Sequence, residues 1–457
     1  MKMVRSLAFY LVVVCVLFSP LQSQSWKLLI PVRAVTMQVN PKDANKLYIG
    51  HENNQMYRSN DAGKTWDRLV LGSLFTFNSV TSLTISATDT AVILAGGYAF
   101  YGIKRSTNGG EDWSQALKDP NDLQMWYVSD AIVRHPSIGD VFYAARFTFP
   151  VNIYKSVDNG VTWDSISNIS GTVSSRICTI SIRPDSTNIL FLGVLGGRIL
   201  RSDDSGHTWA TVPVLRGKHS INEGSEIPKI IFDHKNPQIG YAIVAINTES
   251  SIADNGGILK TVDGGRSWDR IAASDTSFWA IDMWRRADGS NEIFAGGFRT
   301  SNLDPIVKGD SLIYRSTDDG QTWRRILGTP WQENSTGDTI RNIWMFRADS
   351  VGHKMYMATE VGLYVFEDIT GVDDGATEGT GLYASYASGE VTITDMMPDA
   401  NDAYWRLYTM NAQKISEGKI SYGQPVHVNT GQLASGAYLL VWGSDSHFRT
   451  ISVYVQR

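Results

Sequence analysis

Apolar residues along this chain gather in short runs broken by turn residues, and the runs recur in sets. In one set they are Ile177-Cys-Thr-Ile-Ser-Ile182, Asn188-Ile-Leu-Phe-Leu-Gly-Val-Leu195 and Arg198-Ile-Leu-Arg-Ser202. Runs this short, bounded by turn signals, predict strands. Asn40-Pro41, His135-Pro136, Arg183-Pro184 and Asn236-Pro237 supply turn chemistry between the first and second strands of their sets. After the third run comes a glycine-containing loop and a short fourth strand, as in Asp67-Arg-Leu-Val70 and Asp269-Arg-Ile271. Four antiparallel strands per set are the content of a propeller blade.

The loop between the third and fourth strands is nearly the same phrase six times: Ser59-Asn-Asp-Ala-Gly-Lys-Thr-Trp66, Ser106-Thr-Asn-Gly-Gly-Glu-Asp-Trp113, Ser156-Val-Asp-Asn-Gly-Val-Thr-Trp163, Ser202-Asp-Asp-Ser-Gly-His-Thr-Trp209, Thr261-Val-Asp-Gly-Gly-Arg-Ser-Trp268 and Ser316-Thr-Asp-Asp-Gly-Gln-Thr-Trp323. Successive copies lie 47, 50, 46, 59 and 55 residues apart, a period that fits propeller blades. The pattern resembles the Asp-box, or BNR, motif of sialidases, sortilin-type receptors, some xyloglucanases and photosystem II assembly factors. Each position has a mechanical reason. The carboxylate or amide of Asp61, Asn108, Asp158, Asp204, Asp263 and Asp318 accepts N–H bonds inside the loop, Gly permits positive φ, and Trp supplies apolar area between blades. These six residues are therefore read as structural, with no metal or catalytic role.

How the ring closes depends on Trp26. Ser25-Trp-Lys-Leu-Leu-Ile30 looks like the end of a box with its fourth strand, whereas Ile340–Phe346, Lys354–Ala358 and Gly362–Phe366 form a seventh set without a box. The N-terminal segment is expected to complete the seventh blade, covering sheet edges that would otherwise be open. The expected fold is all-β, a seven-bladed propeller over 24–370.

Ahead of it, Lys2 and Arg5 precede an apolar stretch from Leu7 to Phe18 and a polar Ser19–Ser25 region, the pattern of a secretory signal at 1–23 with cleavage after Ser23. Its removal leaves Cys178 as the one cysteine, on an apolar strand and inert, so no internal disulfide is expected. Losing Lys2 and Arg5 moves the formal charge from −5 to −7, which disfavours a nucleic-acid partner. No later apolar run has the length of about 20 residues that a membrane helix needs.

After Thr370 the composition shifts to a Gly-rich acidic linker, 371–381, followed by a second small all-β region, 382–457. Ala387-Ser-Gly-Glu-Val-Thr-Ile393, Trp405-Arg-Leu-Tyr-Thr-Met-Asn411, Leu433-Ala-Ser-Gly-Ala-Tyr-Leu-Leu-Val441 and Ile451-Ser-Val-Tyr-Val-Gln-Arg457 resemble the C-terminal sorting domain of the type IX secretion system. That resemblance implies an immunoglobulin-like sandwich recognised by the secretion machinery at the outer membrane, and a secreted or surface-attached product. Where that family usually begins with a Tyr-Pro-Asn-Pro-like phrase, this chain has Tyr383-Ala-Ser-Tyr386, and a plain carbohydrate-binding or adhesion sandwich is the alternative reading.

In propellers of this kind ligands usually meet the face opposite the boxes. Long inter-strand segments at Leu215–Glu226, Thr248–Asn255 and Thr300–Asp310 fall on that face, as binding loops or as tolerated surface growth. Trp126, Tyr127, Arg176, Trp279, Trp331 and Arg341 belong there too, a set suited to sugar rings or to a protein partner, although Trp279 and Trp344 also suit packing between blades. Sialidase chemistry needs three arginines; Arg33, Arg176 and Arg341 are comparably placed, but the Arg-Ile-Pro signature is absent. An inverting glycosidase needs two carboxylates about 6.5 to 9.5 Å apart. Asp130 and Asp282, on first strands, are the pair placed to line the channel. The basic residue before each box, Arg58, Arg105, Lys155, Arg201, Lys260 and Arg315, could form a basic ring resembling the arginine-lined surface of the photosystem assembly factors, but it is read as a solvated strand end repeated by ancestry. No cofactor or metal motif is found. Binding to a glycan or an envelope protein is favoured over glycoside hydrolysis of the sialidase or xyloglucanase type.

Overall fold

The structure is a computed structural model that describes residues 26–52, 55–71, 79–98, 102–118, 130–146, 151–169, 176–186, 188–215, 225–246, 256–286, 289–298, 313–326, 342–349 and 354–367, together with 382–387, 390–395, 404–409, 414–419, 426–429, 433, 436–443 and 448–455. The chain up to residue 367 forms seven antiparallel sheets, the blades of a propeller, over 36–70, 79–117, 132–168, 177–211, 225–272, 278–326 and 343–367. Blades one to six run in sequence order from the innermost strand outward, and blade seven does so up to its outermost strand, which comes from the N-terminus. Blade five carries an extra edge strand, Val214–Leu215, parallel to Trp268–Ala272.

The ring closes as the sequence predicts. Trp26–Ile30 is the outermost strand of blade seven, antiparallel to Leu363–Glu367, with Trp26 opposite Phe366 and Leu28 opposite Tyr364. First and last strands of the ring thus share one sheet, so unfolding either end opens both. Trp26 is 4% exposed, and its ring lies 5.4 Å from Phe366, 5.8 Å from Phe346 and 5.9 Å from Phe294. It fills between blades six and seven the place that box tryptophans fill elsewhere: Trp66 packs against the blade-seven cluster of Met345 and Tyr356, and Trp323 against that of Tyr241 and Ile243.

Within a box the hydrogen bonds repeat. The Ser59 hydroxyl donates to Asp61 Oδ1 (2.8 Å) and accepts from the Gly63 N–H (2.8 Å). Asp61 also accepts from the Thr65 N–H (2.8 Å) and hydroxyl (2.6 Å), and the Trp66 indole donates to the Gly63 carbonyl (3.1 Å). Asp204, Asp263 and Asp318 hold the same bonds through Thr208, Ser267 and Thr322. At Gly265 φ is +82°, and an added Cβ would fall 2.4 Å from Phe191 of the preceding blade, so both conformation and space demand glycine.

One expectation needs correction. Four of the basic residues before the boxes are not solvated strand ends but reach the next blade. Arg58 Nη1 donates to the Gly109 carbonyl (3.3 Å), Arg105 Nε to Asn159 (2.9 Å), Arg201 Nη1 to Gly264 (2.7 Å) and Lys260 Nζ to Asp319 (2.6 Å). Every acceptor is the fourth box residue, whose φ of 58 to 71° turns its carbonyl out of the loop toward the preceding blade. Arg315 faces blade seven, which has no box; it pairs with buried Glu292 (2.6 Å) and lies over Phe294 and Phe366.

Beyond residue 381 two further sheets are described, one of Leu382–Ala387, Glu390–Asp395 and Val426–Asn429, the other of Lys414–Lys419, Tyr404–Thr409, Gly436–Gly443 and Phe448–Val455. No helix among the described residues is long and apolar enough to cross a membrane.

Candidate functional site

The innermost strands of the seven blades line a central channel. From mid-depth to the turns between first and second strands it widens into a cavity of about 550 Å³, bordered by Gln38, Asp130, Arg134, Lys229, Asp282 and Arg347 among others. Those turns bond to the boxes of their own blades, Ala62 N–H to the Asn45 carbonyl and Gly264 N–H to that of Gln238, so this mouth opens on the box side. The turns themselves are capped by side chains that accept the N–H groups after proline: Asn40 Oδ1 from Lys42, and His135 Nδ1 from Ser137 and Ile138.

Asp130 and Asp282 both line the cavity, and cations from two other blades hold them. Lys229 Nζ donates to Asp130 Oδ2. Arg347 Nη2 donates to Asp130 Oδ1 (3.3 Å), while its Nη1 lies 3.9 Å from Asp282 Oδ2. Asp282 Oδ2 also accepts the Ala348 N–H (3.0 Å). Arg347 therefore stands between the two carboxylates, and Lys229, 5% exposed, is enclosed beside the first. Burial pushes the Lys229 ammonium well below the usual lysine range and Arg347 adds to this, against the attraction of Asp282 and its Asp130 contact.

The sequence reading missed Lys229, Arg347 and Arg134. A signal was present: each is a lone cation in the apolar first strand of its blade, Ser225–Phe232, Ile343–Asp349 and Ile132–Arg134. A charge at such a position has the channel as its outlet to water.

Of the residues expected on the opposite face, Trp126, Tyr127, Trp331 and Arg341 lie outside the described residues. So do 216–224, 247–255 and 299–312, which hold most of the long segments. Arg176 is exposed, immediately before the first strand of blade four, and its carbonyl accepts the Leu195 N–H (3.0 Å). Trp279 is 5% exposed, stacked on Phe298 at 4.6 Å and edge-on to Trp344 at 6.4 Å. Its faces are occupied by protein. Arg33 lies over Trp344 and pairs with Glu52 at 3.0 Å. Cys178 is buried, and burial with the nearby Glu226 charge pushes its thiol well above the ordinary range. Among the described residues no cluster of His, Cys, Asp or Glu is placed to hold a metal.

No family model matches the chain. It is 23% identical over 314 residues to the xyloglucanase Xgh74A of Acetivibrio thermocellus, covering 64% of this chain and 32% of that protein. With a Paenibacillus xyloglucanase it shares 29% over 184 residues, 35% of this chain and 18% of the relative. The chain thus spans less than a third of the length of these relatives. Among solved structures, the GH74 xyloglucanase of Xanthomonas campestris superimposes with a TM-score of 0.59 at 15% identity, over 82% of this chain and 60% of that one. YCF48 of Cyanidioschyzon merolae gives 0.52 at 16%, over 76% and 100%. The fold is a seven-bladed propeller resembling these two.

Proposed function

We propose that this chain is an exported propeller that binds a glycan or an envelope protein at the cell surface without catalysis. The observation that carries this reading is the state of the Asp130 and Asp282 carboxylates. A general acid must hold a proton to give and a general base must have a free lone pair aimed at water. Lys229 and Arg347 hydrogen-bond Asp130, Arg347 lies 3.9 Å from Asp282, and the two Asp282 oxygens accept the Met283 and Ala348 N–H groups, so neither carboxylate is left free to act. Partner binding is a use to which this fold is put: a YCF48 propeller, similar over 76% of this chain, has been solved bound to the D1 peptide.

On this reading Trp126, Tyr127, Arg176, Trp331 and Arg341 contribute to the face opposite the boxes, and Trp279 supports it from beneath. The two sheets after residue 381 form the sandwich of a type IX sorting domain, which delivers the propeller through that machinery to the surface or the medium. The distant similarity to xyloglucanases favours a second reading, glycoside hydrolysis on the loop face.

The purified full chain, screened on a glycan array and incubated with xyloglucan while new reducing ends are measured, separates the two. Binding that is lost in Trp126→Ala, without release of reducing ends, is the expected result. Hydrolysis of xyloglucan by the pure protein, or array binding unchanged in Trp126→Ala, counts against it.

A further inference from the structure

One guanidinium bordering the channel takes no part in its internal pairing. Asp130 and Asp282 are compensated by Lys229 and Arg347. Nearer the mouth Asp43 faces Lys46 at 3.9 Å, and Lys42 donates to the Thr88 carbonyl at 2.9 Å. Arg134 also borders the cavity, half-buried at the end of the first strand of blade three, and it has no hydrogen bond or ion pair among the described residues. Burial and the neighbouring Arg347 guanidinium both lower it from the usual arginine value. An arginine nevertheless keeps its proton, so the cost is met by the fold. Beside it, Arg347 Nε is buried with no acceptor. An unmatched guanidinium and a buried N–H without a partner border the same cavity, and neither does anything for the blades around it.

We propose that the box-side mouth of the channel binds a ligand through a single carboxylate group, which pairs with the Arg134 guanidinium and relieves the unsatisfied Nε of Arg347. The lining cations Lys42, Arg134, Lys229 and Arg347 are matched in number by Asp43, Asp130, Asp282 and Asp349, so the attraction for an anion is local to the unpaired Arg134 guanidinium. A guanidinium offers a planar fork of N–H groups that a carboxylate fits with two parallel bonds. Among the described residues the lining contains no Trp or Tyr ring on which a sugar would stack. This site is separate from the loop face of the proposed function and stands or falls without it.

Acetate is the probe. The full chain is titrated with sodium acetate against sodium chloride at equal ionic strength, following thermal unfolding and saturation-transfer NMR of the acetate methyl group. Acetate is expected to raise Tm and give a transfer signal. Arg134→Gln should weaken the response at least about tenfold, the loss of a charge-assisted hydrogen bond. In chloride the same variant should be as stable as the parent or more so, because it removes an unpaired charge. Arg68→Gln, which removes an exposed arginine from the outermost strand of blade one, should respond as the parent does. The proposal is overturned if the parent shows no acetate response, if Arg134→Gln responds equally, or if that variant in chloride is clearly destabilised, which would reveal an internal partner.

Discussion

Arg201 Nη1 donates to the main-chain carbonyl of Gly264, 2.7 Å away in the next blade, while its Nε and Nη2 hold Asp203. The side chain is 6% exposed and lies over the Phe191 ring. One residue thus joins the third strand of blade four to the box of blade five, where Gly265 also presses on Phe191. Arg201→Ala leaves a buried carbonyl without its donor and should cost about 1.5–3 kcal/mol, the range for hydrogen bonds to charged groups. Arg201→Lys, able to make the single bond, should recover part. Urea denaturation of both variants measures this, and an alanine variant within half a kcal/mol of the parent would dismiss the clamp.

The closure strand gives a larger effect. Trp26→Ala removes the ring that Phe294, Phe346 and Phe366 surround, and large-to-small changes of this kind cost about 3–5 kcal/mol. Trp405→Ala, in the region after the linker, should leave the propeller transition in place. Calorimetry that finds the propeller transition unmoved in Trp26→Ala would mean that the N-terminal strand does not close the ring in solution.

Much of this was legible before the structure. The boxes repeat with the blade period, and a Trp without a preceding box at one end matches a blade without a box at the other, so strands and closure follow from the text. The clamps were not legible because their acceptors are main-chain carbonyls, which leave no trace in the side-chain pattern. Repetition alone looks the same for a solvated arginine and for one bonded to Gly264. In the channel, Asp130 and Asp282 could be placed on first strands. Their neutralisation could not be read, because Lys229 lies 99 residues and Arg347 217 residues from Asp130.

The boxes make the fold sensitive to acid. Hydrogen bonds from the Thr65 hydroxyl and N–H hold the Asp61 carboxyl at about 2, below its ordinary 3.8. Burial alone would raise Asp204 and Asp263, but the Thr208 and Ser267 bonds outweigh it and both also lie at about 2. Because the folded values lie below the unfolded ones, the unfolded chain binds more protons. The stabilisation is complete above about pH 4 and is lost as pH falls toward about 2. Tm should therefore drop steeply across that window. In carboxyl-detected NMR, Thr65→Val should move the Asp61 titration up toward 3.8. Titration of Asp61 near 3.8 in the parent would remove the basis for this prediction.

The sorting proposal is tested in cells. Deleting 382–457 should strand the propeller in the periplasm of its native host, measured by fractionation, while the full chain reaches the surface or medium. Normal delivery of the truncated chain would refute a sorting role for this region.

The channel network predicts a non-additive pair. Lys229→Met removes the cation enclosed beside Asp130 and leaves that carboxylate, 14% exposed, with Arg347 at 3.3 Å as its remaining partner. Breaking one side of a buried pair costs about 3–5 kcal/mol because the other charge is left uncompensated. Adding Asp130→Asn to Lys229→Met removes that charge and should restore most of the loss, so the double variant is more stable than the single one. Arg347 would still face Asp282 across 3.9 Å, keeping the far side of the channel intact. A double variant that loses the sum of the two single losses would show that Lys229 and Asp130 act independently. The channel carboxylates would then not be compensated within the fold, and acid–base chemistry there would regain its physical basis.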